Sequence, residues 1–125
     1  MNADNHLTER IIGAALDVHR ELGPGLLENA YQRALAHEFR LRGLNFEEQK
    51  ACSVRYKDLS IDDAYRIDFL VDQEVVVEIK AIDALLSVHE AQVLTYLRFT
   101  SCQIGLLINF RTSFLTKHGL RRLAL

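Results

Sequence analysis

The chain has 125 residues, enough for one domain and too few for two full cores. Apolar residues make up 49% and charged residues 26%, with a formal net charge of -2, which excludes a disordered polyelectrolyte and is not the footprint of a bulk nucleic-acid binder. Cys52 and Cys102 lack metal-type spacing and no run approaches the roughly 18 apolar residues of a membrane span, so a reducing cytoplasmic setting with no membrane partner is expected.

The stretch from Met1 to Arg10 is polar and has no apolar signal core. From Thr8 to Glu21, Ile11, Ile12, Ala15, Val18 and Leu22 recur at helical spacing and predict an amphipathic helix. Gly23-Pro24-Gly25 stops it. A second helix is expected from about Leu26 to Leu41, with Leu27, Tyr31, Leu35 and Phe39 as its buried ladder and Gly43 as its cap.

The period then changes to two. Gln49 to Tyr56 alternates as a strand, with Cys52, Val54 and Tyr56 on one face. Asp58 to Asp63 reads as a polar turn. Tyr65 to Val71 is a second strand, with Ile67, Phe69 and Val71 expected on one face, and a short turn at Asp72-Gln73 leads into a third strand, Glu74 to Lys80. Short connections make an antiparallel meander the economical arrangement. Ser87 to Thr100 is expected as a third helix burying Val88, Ala91, Leu94 and Leu97. The apolar run Ile104 to Phe110 suits a strand covered on both faces. Gly119 to Leu125 adds a short edge strand. Both cysteines are expected as small buried residues within strand-like runs. The order is ααβββαβ, with a final β, in a single domain spanning 1–125.

Charged residues interrupt two of these strands. On the third, Glu78 and Lys80 share a face with Val76, opposite Val75, Val77 and Ile79. Asp68 interrupts Ile67-Asp68-Phe69. Charges are rare in apolar strands unless paired or bound to a metal. A turn at Asp72 to Glu74 that sets Asp68 opposite Glu78 makes a two-carboxylate pocket, whose repulsion a cation relieves. Mg²⁺, a hard ion with oxygen ligands, suits it, and Mn²⁺ is its substitute. Lys80 would steady the attacking water or the phosphate, completing a kit for phosphodiester hydrolysis. The bland alternative is an exposed Glu78–Lys80 ion pair.

Glu28 and Tyr31 lie on one helix face after the Gly-Pro-Gly turn and are candidates for the same site, Glu28 as a carboxylate and Tyr31 as support; a helix N-terminal charge and core packing are their simpler roles. His89, Gln92 and Tyr96 make a polar line on the third helix, set to face the same pocket or solvent. Arg111, Lys117, Arg121 and Arg122 gather positive charge towards the C-terminus, which a solvated surface explains better than a phosphate-binding patch.

Gly25-Leu26-Leu27-Glu28-Asn29-Ala30-Tyr31 resembles the motif that names the GxxExxY family. Arg66 to Val71, Val77 to Ala81, His89 to Gln92 with Tyr96, and Gly105 to Phe110 resemble its further blocks, in order, from about Ile11 to Arg122. That family is similar to the PD-(D/E)XK nuclease superfamily. The resemblance implies an α/β (α+β), restriction-endonuclease-like core, a mixed sheet flanked by helices. It implies Asp68 and Glu78 as metal ligands, Lys80 as the catalytic lysine, Glu28 as a helical carboxylate near the metal, and Gln92 and Tyr96 as site support or nucleic-acid contacts. The expected activity is Mg²⁺-dependent hydrolysis of nucleic acid, DNA first. The alternatives are a non-enzymatic nucleic-acid- or protein-binding module, and a subunit that forms a homodimer through its apolar tail, Leu123-Ala124-Leu125.

Overall fold

A computed structural model describes residues 3–125; Met1 and Asn2, at the head of the polar N-terminal stretch, lie outside the described residues. The elements are α1 (Ala3–Leu22), α2 (Glu28–Leu41), β1 (Phe46–Tyr56), β2 (Leu59–Val71), β3 (Val75–Lys80), α3 (Ser87–Thr100), β4 (Ile104–Asn109), a π-helical turn (Leu115–Gly119) and β5 (Leu120–Ala124). They form one mixed sheet in the order β1-β2-β3-β4-β5. β3 and β4 run parallel, joined by the crossover through α3; the other neighbours are antiparallel.

Helices cover both faces. α1 and α2 pack on Phe69, Val71, Val75, Val77, Ile79, Leu106 and Ile108, whereas Val93 and Leu97 of α3 pack on Ile67, Leu70, Val76 and Leu107. Hence β3 and β4 are apolar on both faces: Val75, Val77, Ile79, Ile104, Leu106 and Ile108 lie in the α1–α2 core, Val76 and Leu107 in the α3 core. Gly105 lets α3 approach, since a Cβ there would lie 2.5 Å from a Val93 methyl. No helix among the described residues is long and apolar enough to cross a membrane.

Several boundaries and faces differ from expectation. α1 starts at Ala3, because Leu7 and Thr8 already pack inward. Leu27 is not part of the α2 ladder: it is the N-cap residue and 78% exposed, since its backbone is still extended there. The Asp58-to-Asp63 turn shrinks to Lys57-Asp58, and β2 continues through the polar segment because backbone pairing with β1 does not require apolar side chains. α3 buries Val93 and Leu97, while Val88 and Ala91 are exposed; contact with Gly105 selects that side. Ile67 faces α3, whereas Phe69 and Val71 face α1 and α2, so the alternation along β2 inverts at Asp68. Cys52 is half-buried on β1, and Cys102 is buried just ahead of β4 rather than within a strand. The apolar tail is β5, paired to β4 of its own chain with Gly105 opposite Leu123.

Candidate active site

The site is built where β2 parts from β3. Their backbone ladder runs Val71–Val75, Leu70–Val76, Phe69–Val77 and stops. One more step would set Asp68 against Glu78. There, side chains replace the missing backbone bonds. The Asp68 N–H donates to Glu78 Oε2 at 2.6 Å, and the Ile79 N–H donates to Asp68 Oδ2 at 2.9 Å. The two carboxylates therefore plug one gap in the sheet and lie in each other's field.

Their electrostatics follow from that placement. Glu78 is only 7% exposed. Burial pushes its carboxyl up to about 8, Asp68's charge and more weakly Glu28's add to the rise, and the Asp68 N–H and Lys80 oppose it. Burial also raises Asp68, against the Ile79 N–H, the Gln49 amide and the Lys80 charge. Lys80, half-buried at the end of β3, thus acts on both carboxylates, yet forms no ion pair among the described residues. The bland Glu78–Lys80 ion pair is not formed.

The remaining expected residues divide. Glu28 stands in the first turn of α2, exposed, close enough for its charge to raise Glu78. Tyr96 stacks on Tyr65 at 4.6 Å, and after burial it is the charges of Glu78 and Asp68 that hold its phenol above the ordinary range, which puts its hydroxyl near the pair. Gln92 is exposed one turn earlier on α3, and no bond ties it to the carboxylates. Tyr31 is not brought to them. Its ring stacks on Phe110 at 4.6 Å, and its hydroxyl donates to the Gly23 carbonyl and accepts from the Leu26 N–H at 3.1 Å, stitching the Gly-Pro-Gly turn. His89 accepts the Leu86 N–H at 2.9 Å and caps α3.

Three polar residues around the site escaped the sequence reading. Gln32, one turn beyond Glu28, donates to Glu48 Oε2 at 3.0 Å and to the Asp68 carbonyl at 3.4 Å. Asn109 is buried opposite Lys80. Its amide donates to the Ile82 carbonyl at 2.8 Å, and its oxygen accepts from the N–H groups of Ile82 at 3.1 Å and Arg111 at 3.3 Å, fixing the turn after Lys80. It was detectable by the same sign that marked Glu78, a polar group inside an apolar strand. Gln49 carried no signal; its role depends on register.

A divalent metal fits this donor set in part. Two adjacent carboxylates offer oxygen ligands to a hard cation, which would offset the burial and the mutual repulsion that disfavour their charged forms. Among the described residues, no group of three or more His, Cys, Asp or Glu is assembled to hold an ion, so water or substrate oxygens must complete the shell. A hollow of about 730 Å³ along α2, lined by Leu22, Leu26, Arg33, Arg40 and Glu48 among others, contains none of the carboxylates of the pair.

A family model described as the PD-(D/E)XK nuclease superfamily matches residues 5–123. Comparison with curated proteins and with solved structures returns no match.

Proposed function

The chain belongs to the PD-(D/E)XK nuclease superfamily, and on that premise we propose that it is a Mg²⁺-dependent phosphodiesterase of the GxxExxY type that hydrolyses DNA, acting as a single cytoplasmic domain. The observation that carries this reading is the gap shared by Asp68 and Glu78, with Lys80 on the same strand face as Glu78.

Asp68 and Glu78 would hold the cation, which when bound supplies charge neutralisation and Lewis acidity at the phosphate. The chain's own groups do the rest. The Lys80 ammonium, with no competing ion pair among the described residues, donates to a non-bridging phosphate oxygen and holds the attacking water in line. The Tyr96 phenol, kept protonated, donates to a flanking phosphate. Glu28, exposed in the first turn of α2, would supply a further carboxylate on the α2 side of the cation. Gln92 offers its exposed amide beside Tyr96. Asn109 keeps Lys80 in place by anchoring Ile82.

Asp68→Ala, Glu78→Ala and Lys80→Ala should each lower metal-dependent cleavage of DNA by at least ~10²-fold while the far-UV circular dichroism spectrum stays unchanged. A pure preparation that cleaves neither DNA nor RNA with Mg²⁺ or Mn²⁺ refutes the enzymatic reading. Absence of metal binding at Asp68 and Glu78 in calorimetry favours instead a non-enzymatic nucleic-acid- or protein-binding module on the same scaffold, the reading to which the acidic net charge of -2 also points.

A further inference from the structure

The pairing of β1 with β2 is interrupted at one place beside the carboxylates. Glu48 pairs with Phe69 and Lys50 with Ile67, and Gln49 and Asp68 face each other unpaired between them. Gln49 has φ 51, a left-handed backbone that a residue with a Cβ disfavours. The other such residues have a local reason. Lys57, Asp72 and Gln73 form hairpin turns, Asp63 lies beside the shift of the β1–β2 register, and Ser101 caps α3. Gln49 sits in mid-strand, where no turn requires it. It is also exposed, so packing does not retain it.

What the bend accomplishes is visible on β2. Alternation inverts across Asp68, with Ile67 and Leu70 towards α3 and Phe69 and Val71 towards α1 and α2. The Gln49 amide donates to Asp68 Oδ1 at 3.2 Å, while the Ile79 N–H holds Oδ2 at 2.9 Å. Each oxygen is gripped from a different neighbouring strand, which fixes the carboxylate's rotation. We propose that Gln49 is a positioning residue: its left-handed bend and its amide together aim Asp68 into the gap shared with Glu78. This rests on the reading of Asp68 and Glu78 as the cation-holding pair. Strain of this kind, held by surrounding structure, is characteristic of sites where geometry matters more than stability.

Gln49→Gly relieves the backbone and removes the amide, whereas Gln49→Met keeps the length and removes only the amide. The expected results are a Tm for Gln49→Gly at or above that of the unaltered chain, an Ile79 amide proton moved upfield in metal-free NMR spectra of both variants, and Mn²⁺ affinity by calorimetry about 10- to 100-fold weaker in both. An unchanged Ile79 resonance with unchanged Mn²⁺ affinity overturns the proposal, and so does a lowered Tm in Gln49→Gly, which would mean a merely structural role. If the unaltered chain binds no Mn²⁺ and cleaves nothing, the proposed function fails, and the metal-free Ile79 resonance still decides the case of Gln49.

Discussion

Replacing Glu78 by Gln is expected to stabilise the metal-free fold in alkali and to change little in acid. Glu78 is buried beside Asp68, and burial followed by that charge raises its carboxyl from 4.5 to about 8. Between those values the native chain keeps a proton that the unfolded chain has released. Stability therefore falls as pH rises through that window, and the full penalty is present above about 8. At about 1.4 kcal/mol per pKa unit, a rise of this size corresponds to about 5 kcal/mol. Gln cannot ionise, yet its side-chain oxygen can still accept the Asp68 N–H. In urea denaturation with EDTA, followed by circular dichroism, Glu78→Gln should match the unaltered chain within about 1 kcal/mol at pH ~5 and exceed it by up to about 5 kcal/mol at pH ~9. Saturating Mg²⁺ should close the alkaline gap, since a cation that binds only the folded form stabilises it. If Glu78→Gln is no more stable than the unaltered chain at pH ~9, Glu78 is not the desolvated, charge-crowded group described above.

Other substitutions test the scaffold around the pair. Gly105→Ala would put a Cβ 2.5 Å from Val93 Cγ1 and should cost about 1–3 kcal/mol by thermal denaturation, with recovery on adding Val93→Ala. Tyr31→Phe keeps the stack on Phe110 but loses both bonds to the Gly-Pro-Gly turn; a loss of about 1–2 kcal/mol in urea denaturation is expected, with faster hydrogen exchange at Leu26. Asn109→Leu strips partners from both backbone groups of Ile82 and from the Arg111 N–H, and should cost about 1–3 kcal/mol and lower kcat more than it alters KM, because Lys80 loses its anchor.

Much of the layout was legible in the chain itself. Apolar periods of about 3.6 and of 2 mark helices and strands locally. The order ααβββαβ with a terminal strand follows from them, and so does the continuous burial of β4. Asp68, Glu78 and Lys80 stood out because each interrupts an apolar strand, where an unpaired charge is too costly to be incidental. The sharp Gly-Pro-Gly stop placed the α1–α2 turn, though not the Tyr31 hydroxyl bonded across it.

What the pattern left open depends on partners distant in sequence. Val88 and Ala91 fit a helical stripe as well as Val93 does, and only the approach to Gly105 decides which line of α3 is buried. The polar arm from Leu59 onward becomes strand because β1 supplies its backbone bonds. The face taken by Ile67, the grip of Gln49 on Asp68 and the rise of Glu78 to about 8 all arise where two strands separate and side chains fill the gap. Propensity and alternation act between near neighbours, so composition and spacing determine the elements. Register, strand separation and desolvation are set by residues that meet only after folding, so the tertiary structure alone decides how the carboxylates face one another.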